Sequence, residues 1–279
     1  MLKKFLDFIL FGSLFIGFCT VAMCVETNLL LGVPFNPASF YLFVFAATVF
    51  QYNLHYLLKR SAVKGSDRLA WSQKNNRIHW ILIVISMCLI FTSLFSFKLH
   101  HFIFLSVMGV ITFLYSIPVL PFRQKKRIKD FGILKILTIT LLWTLVTVWF
   151  PIDQAIHGDL SFQFVFARRF IFIFVLCLMF DLRDAEIDRK ENIHTIPVIT
   201  GVQRAYQIAY LLLGIFILLS VVQFFRVQHL GHLNAMILSA LATLVMIEYT
   251  KKNKADFVYL ACIDGMMLLQ ALLVIFGSV

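Results

Sequence analysis

The fold and the chemistry of this chain are both indicated by one stretch, Asp181-Leu-Arg-Asp184-Ala-Glu-Ile-Asp188-Arg-Lys-Glu-Asn-Ile-His-Thr195-Ile-Pro197-Val-Ile-Thr-Gly201. It directly follows an apolar run, Phe170 to Phe180. On a helix, positions 181, 184 and 188 lie at about 0°, 300° and 340°, so their carboxylates share one narrow face. Carboxylates gathered in this way repel one another and need a cation. Mg²⁺ prefers oxygen ligands and commonly keeps substrate phosphates as partners, so the segment predicts a metal–diphosphate site at a membrane surface.

The composition is that of a membrane protein. Hydrophobic residues make up 61% of the 279 residues and charged residues 14%, against about 25% charged in an average soluble domain. Apolar stretches near the ~20 residues needed to cross a bilayer recur along the chain. We therefore predict an all-α, multi-span membrane bundle of about nine transmembrane helices, with residues 1–279 as a single transmembrane domain. The predicted spans are 6–25, 38–58, 79–97, 101–121, 132–151, 162–181, 203–225, 233–250 and 256–277.

The distribution of Lys and Arg predicts the orientation of these spans. Basic residues concentrate before the first span and in the second, fourth, sixth and eighth connections, and the alternate connections carry almost none. The positive-inside rule then predicts a cytoplasmic N-terminus and an external C-terminus in the plasma (inner) membrane. The net charge of +11 is explained by topology, so no nucleic-acid partner is expected. The first span lacks a small-residue cleavage site and is expected to be retained.

The acidic stretch resembles the second Asp-rich motif of the UbiA-type intramembrane prenyltransferases, roughly D-x-x-D-x-x-x-D followed by Gly and a Thr-Leu-Pro-Val segment. Asp181, Asp184 and Asp188 take the acidic positions. Asn192 stands where the family usually has Gly, and Asn is the next most tolerant residue for a left-handed turn. The tail of the motif corresponds to Thr195-Ile-Pro197-Val198. A second resemblance lies between the fourth and fifth spans, where the chain reads Tyr115-Ser116-Ile-Pro118-Val-Leu-Pro121, then a basic run, then Gly132-Ile-Leu-Lys135.

The resemblance implies a nine-helix enzyme that moves an isoprenyl group from a prenyl diphosphate to a hydrophobic or aromatic acceptor within the lipid bilayer. It also implies Mg²⁺ as cofactor, with Asp181, Asp184 and Asp188 as metal ligands and catalytic residues. We expect one Mg²⁺ site, because the first Asp-rich motif of the family, N-D-x-x-D-x-x-x-D, is altered in this chain. Its Asn is kept as Asn53, but the acidic positions hold Leu54, Leu57 and Ser61.

Basic residues near the altered motif offer a replacement for the missing metal. On a continuous helix Asn53, Tyr56, Arg60 and Lys64 lie at about 0°, 300°, 340° and 20°, which is a single face. Arg and Lys can neutralise a diphosphate directly. The competing interpretation is that these residues only flank the membrane as topology signals. The expected substrate-binding residues are Asn53, Arg60, Lys64, Arg68, Tyr115, Lys135 and Lys190.

Some of these positions also have simpler interpretations. Lys135 at the start of a span is either functional or a lysine that extends to the membrane interface. Tyr115 either lines the substrate tunnel or belongs to an interfacial belt. Arg168 and Arg169 lie nearer the external end of the sixth span and are expected to extend outward. Two functions follow for the whole chain: a prenyltransferase with Mg²⁺-assisted diphosphate departure, or a catalytically degenerate relative that binds a prenyl lipid or a partner protein.

Overall fold

The computed structural model describes residues 2–58, 67–116 and 130–278, and these residues form helices without any β-strand. The all-α prediction is therefore confirmed for the described part of the chain. The α-helices are α1 Leu2–Phe11, α2 Leu14–Leu31, α3 Ala38–Leu58, α4 Asp67–Lys74, α5 Asn76–Leu94, α6 Leu99–Ser116, α7 Gly132–Thr144, α8 Leu160–Lys190, α9 Ile196–Thr200, α10 Val202–Val227, α11 Leu230–Lys252 and α12 Gly265–Gly277. Two π-helical segments, Leu145–Trp149 and Val258–Ile263, extend α7 and precede α12.

Seven helical segments in the described residues are long and apolar enough to cross a membrane. They are α2, α5, α6, α7 with its π segment, α10, α11 and α12 with its π segment. The other two predicted spans, 38–58 and 162–181, are also helical, as α3 and part of α8, but are not in this set. Both carry buried polar side chains, among them Asn53 and Arg169. The multi-span prediction is thus confirmed, and the count of nine is approximate.

The first predicted span, 6–25, is broken in the structure. Ser13 adopts a left-handed conformation with φ 64°, which ends α1 at Phe11 and starts α2 at Leu14. The apolar segment that could cross the membrane is therefore Leu14–Leu31. The break exposes the carbonyl of Gly12 and the hydroxyl of Ser13 to side chains from other helices, and both are used as acceptors.

α8 is the central helix of the bundle. Its residues Phe172, Val175, Leu178 and Met179 are almost fully buried against α2, α7 and α10. Its 31 residues make a rod of roughly 46 Å, longer than the ~30 Å hydrocarbon core of a bilayer. The last turns of α8 can therefore extend beyond the membrane interior, and these turns carry the three Asp residues. We call this end of the bundle the carboxylate end, and the end where α8 begins the opposite end.

Candidate functional site at the carboxylate end

Lys135 of α7 contacts two of the three predicted carboxylates with one ammonium group. Its Nζ lies 2.8 Å from Oδ1 of Asp181 and 3.6 Å from Oδ2 of Asp188. The side chains of the two Asp residues are 3% and 8% exposed, so their charge must be balanced within the protein. The ammonium of Lys135 points to these carboxylates, and its predicted contact with substrate stays a prediction.

Asp184 has a different partner. Its carboxylate accepts two hydrogen bonds from the neighbouring Arg183, from Nε at 2.8 Å and from Nη2 at 3.1 Å. Arg183 also contacts Asp256, with Nη1 3.3 Å from Oδ1. Such two-pronged pairing is the preferred geometry of a guanidinium and a carboxylate. The carboxylate of Asp184 is therefore held by Arg183, whereas Asp181 and Asp188 contact Lys135.

The three carboxylates consequently do not converge on one point. In residues 2–58, 67–116 and 130–278, no group of three or more His, Cys, Asp or Glu side chains is placed to hold a metal ion. Asp181 and Asp188 share Lys135, and Asp184 pairs with Arg183. Helical periodicity alone does not specify which cation each carboxylate contacts, and the ligand set of three carboxylates stays a prediction.

A close contact between α7 and the turn after α8 positions the side chain of Lys135 beside the carboxylates. A Cβ added to Gly132 would lie 2.1 Å from the carbonyl carbon and oxygen of His194, so only Gly fits there. The turn itself contains Asn192 with φ 54°, which confirms the expected left-handed conformation. Because Lys135 lies about one helical turn after Gly132, this contact brings its side chain to Asp181 and Asp188.

The pair of Asp residues retains capacity for a hard cation. Oδ2 of Asp181 and Oδ2 of Asp188 are buried and have no hydrogen-bond partner within the described residues. The buried hydroxyl of Thr195 faces Asp188. Burial raises the pKa of Asp188 above its usual value, and the ammonium of Lys135 opposes that rise. Oxygen atoms of this kind are the ligands that Mg²⁺ prefers, so the residues fit the expected ion.

Asn53, which is predicted to bind substrate, is buried, and its hydrogen bonds connect α3 with Gly12 and with α5. Its amide nitrogen donates to the carbonyl oxygens of Gly12 at 2.9 Å and Val49 at 2.8 Å, so its Oδ1 accepts from Nδ1 of His79 at 2.6 Å. Nε2 of the same imidazole then accepts from the Ser72 hydroxyl at 2.8 Å. Both amide hydrogens and Oδ1 of Asn53 thus have partners within the protein, which gives the side chain a structural role, and its contact with substrate stays a prediction.

Arg68 joins α4 to the carboxylate end. Its side chain is buried, donates to the Ser13 hydroxyl at 2.9 Å and lies over the Tyr56 ring at 4.0 Å. Its backbone N–H donates to Oδ2 of Asp256 at 3.1 Å, and Asp256 also contacts Arg183. The start of α4, just beyond the second predicted span, is therefore linked to the end of α8, as expected for one shared site.

The other predicted residues are placed as follows. Arg60 and Lys64 lie outside the described residues, as does Ser61. Lys190 is exposed at the last position of α8, and Tyr115 is half-buried near the end of α6.

Sequence reasoning missed Asp256 and Arg183 as site residues. Arg183 was interpreted only as one of the basic residues that set the membrane orientation. Its position next to Asp184 in the sequence also makes it a possible ion-pair partner of that residue. Asp256 is an acidic residue at the start of an apolar span, which was a usable signal.

The expectation that Arg168 and Arg169 extend outward was wrong. Both are buried inside the bundle, and Nη2 of Arg169 lies 3.0 Å from Oε2 of Glu26, because a buried carboxylate on α2 attracts it inward.

Comparisons with known proteins agree on one family. The family model described as the UbiA prenyltransferase family matches residues 72–257, more than half of the chain. A UbiA homolog from Archaeoglobus fulgidus bound to GPP and Mg²⁺ superposes with a TM-score of 0.65 at 16% identity, covering 97% of this chain and 98% of the other. A UbiA homolog from Aeropyrum pernix K1 without ligand gives 0.63 at 12% identity, with coverages of 94% and 96%.

A further similar structure is that of a digeranylgeranylglyceryl phosphate synthase, with a TM-score of 0.59 at 14% identity over 100% of this chain and 99% of the other. No curated protein sequence matches the chain significantly. The structural matches establish the fold, and the family model covers α5 to α11 with the acidic motif of α8. The chain belongs to the UbiA prenyltransferase family.

Proposed function

We propose that this chain is an integral-membrane prenyltransferase that moves an isoprenyl group from a prenyl diphosphate to a hydrophobic or aromatic acceptor. The observation that carries the proposal is the buried pair Asp181 and Asp188 with Lys135 between them. Family membership supports it, and so do the homologs solved with GPP or DMAPP and Mg²⁺. The acceptor class is inferred from the family.

The cations of the carboxylate end have a direct role in this proposal. Lys135, Arg183 and Arg68 present one ammonium and two guanidinium groups, and guanidinium groups match phosphate oxygen atoms in geometry. Asp181 and Asp188 would hold one Mg²⁺ through their Oδ2 atoms, which accept no hydrogen bond from the described residues. When bound, the ion neutralises negative charge that grows on the leaving diphosphate.

The reaction that these residues would assist is a substitution at an allylic carbon. The carbon–oxygen bond breaks with its electron pair leaving on the diphosphate, and an electron pair of the acceptor then bonds to the allylic cation, with loss of a proton from an aromatic acceptor. Beside Arg183, the rings of Phe180 and Tyr259 lie 5.4 Å apart. Aromatic faces stabilise cations, and the apolar interior of the bundle limits attack by water.

The location and orientation form part of the same proposal. We infer a multi-pass protein of the plasma (inner) membrane with its N-terminus in the cytoplasm and its C-terminus outside. The concentration of Lys and Arg before the first predicted span and in the second, fourth, sixth and eighth connections supports this inference. Soluble prenyl diphosphates and Mg²⁺ would then reach Asp181 from the cytoplasm.

A catalytically degenerate relative that binds a prenyl lipid or a partner protein is the second candidate. The observation that favours it is the state of the first motif, where Asn53 is bonded to His79 and Leu54 and Leu57 replace two acidic residues. Such a protein would keep the fold and the pair of carboxylates without turnover.

Turnover distinguishes the two candidates. Membranes that contain the chain are incubated with a labelled prenyl diphosphate, an aromatic acceptor and Mg²⁺, and released diphosphate is measured. A prenyltransferase releases it only with Mg²⁺, and Asp181→Asn abolishes release while the exposed variant Glu191→Gln does not. Absence of release over several chain lengths and acceptors, from folded protein, would show that the degenerate candidate is correct.

A further inference from the structure

Two adjacent arginines lie inside the bundle near the beginning of α8, far from the carboxylate end. Arg168 and Arg169 are 4% and 2% exposed. Thirteen residues separate Arg168 from Asp181 along α8, a distance of roughly 20 Å. Charged side chains within a membrane bundle are costly and are retained where they pair or serve a function. The partners of the two guanidinium groups therefore need to be accounted for.

Arg169 is compensated and Arg168 is not. Arg169 pairs with Glu26 and donates to the carbonyl oxygen of Met23 and the hydroxyl of Thr27, both at 3.3 Å. Among the described residues, Arg168 donates to a single neutral group, the Ser220 hydroxyl, at 3.2 Å. Within the described residues no carboxylate forms an ion pair with Arg168. Two buried guanidinium groups thus share one carboxylate, which leaves an excess of one positive charge.

The uncompensated arginine lines a pocket at the opposite end of the bundle. Its other lining residues include Gln223 and Phe224 of α10 and His232 of α11. Nε of Arg168 and Oε1 of Gln223 are both buried and lack hydrogen-bond partners in the described part of the chain. The concavity is therefore bordered by one N–H of a guanidinium group and one amide oxygen atom that form no hydrogen bond with the described residues.

The size and lining of the pocket indicate its ligand. The concavity measures about 260 Å³ with its part that is open to solvent, and the free space within it holds about one water-sized group. A water molecule would supply hydrogen bonds to Arg168 and Gln223 but would not balance the charge. An oxygen atom of an anion would do both for Arg168. Leu30, Phe224 and Leu233 form apolar walls toward which a hydrocarbon chain can extend.

We propose that this pocket binds an oxyanion, a phosphate or carboxylate group, with one oxygen atom at Arg168. The ligand is either free in solution or the headgroup of a membrane amphiphile whose chain lies along the apolar walls. The site is separate from the pair of Asp181 and Asp188 and does not depend on the proposed enzymatic function.

Binding of two probes to the purified full-length chain tests the proposal. Native mass spectrometry in a non-ionic detergent measures the Kd of inorganic phosphate and of dodecyl phosphate, with dodecanol as the uncharged control. The variants are Arg168→Gln and, as matched control, Arg226→Gln. The control removes an exposed arginine from the end of α10 that borders the pocket. A charge-assisted hydrogen bond contributes enough that Arg168→Gln should weaken binding about tenfold or more.

The outcomes separate the sources of the anion. Binding of both probes, lost in Arg168→Gln and kept in Arg226→Gln, identifies a site for free anions, and binding of dodecyl phosphate alone identifies a headgroup site. Equal affinity of wild type and Arg168→Gln would overturn the proposal. If Arg168→Gln does not fold, Gln223→Glu supplies a carboxylate beside Arg168 and should abolish binding. Unchanged binding to Gln223→Glu would also overturn it.

Discussion

At the residue scale, the carboxylate end depends on how Lys135 is shared between Asp181 and Asp188. A single ammonium lies 2.8 Å from one carboxylate and 3.6 Å from the other, and each carboxylate has an oxygen atom that accepts no hydrogen bond from the described residues. The ammonium neutralises half of the negative charge of the pair. One negative charge of the pair thus remains for a divalent ion to balance.

Lys135→Ala should destabilise the protein in the absence of Mg²⁺. Its removal leaves two buried carboxylates facing each other, and because Lys135 keeps partial solvent contact we expect a loss of about 2 kcal/mol, below the full cost of breaking a buried pair. Millimolar Mg²⁺ should restore stability in the variant more than it stabilises wild type. The free energy of unfolding in mixed detergent micelles measures both effects.

Lys190→Ala is the control, because Lys190 is exposed at the end of the same acidic helix. Its stability and its response to Mg²⁺ should match those of wild type. A Lys135→Ala protein that is as stable as wild type without Mg²⁺ would show that Asp181 and Asp188 do not need the ammonium.

At the scale of elements, the site is built by the contact between α7 and the turn that follows α8. Gly132 touches the backbone of His194, and Asn192 provides the left-handed residue that reverses the chain. These two residues position Lys135 although its partner Asp181 lies 46 positions later in the chain. The motif of α8 is therefore completed by an element that is distant in sequence.

Gly132→Ala should disrupt this contact. The new methyl group would lie 2.1 Å from backbone atoms that cannot move like a side chain, so we expect a loss of about 2 kcal/mol or more in the free energy of unfolding. Gly109→Ala in α6 is the matched control, since a Cβ there meets open space and Ala is the better helix former. Equal stability of the two variants would contradict the close approach of α7 to His194.

Helical periodicity predicted which residues share a face, and it could not predict their partners. The placement of Asp181 and Asp188 on one side of α8 follows from the 3.6-residue repeat. The left-handed turn at Asn192 follows from the tolerance of Asn for that conformation. The pairing of Asp184 with Arg183 depends on side-chain rotamers. The engagement of Asn53 by His79 depends on the packing of α3 against α5, which a single sequence does not reveal.

At the scale of the whole molecule, composition and span length were sufficient for the architecture. Apolar stretches of about 20 residues predict a bundle of membrane helices, because a helix needs about that length to cross the bilayer and satisfies its own backbone hydrogen bonds. The buried ion pair of Glu26 and Arg169 was not predictable from composition and span length. From hydropathy alone, an arginine in a span is expected to extend its charged end to the membrane interface. Interior charge pairs become visible only when two helices are placed side by side.

Labelling of introduced cysteines tests the predicted orientation. Glu191→Cys lies at the carboxylate end and Asp159→Cys at the opposite end, and both positions are exposed. With the exposed native Cys88 replaced, a membrane-impermeant maleimide should label Asp159→Cys in intact cells. Glu191→Cys should react only after permeabilisation. The reverse pattern would place the carboxylate end outside the cell.

The most direct measurement of the central claim is the affinity of the purified chain for a prenyl diphosphate with and without Mg²⁺. We expect Mg²⁺ to strengthen binding about tenfold or more in wild type, because the ion joins the diphosphate to Asp181 and Asp188. In the double variant Asp181→Asn, Asp188→Asn that gain should disappear. The same affinity with and without Mg²⁺ in wild type, unchanged in the double variant, would contradict a metal–diphosphate site at the carboxylate end.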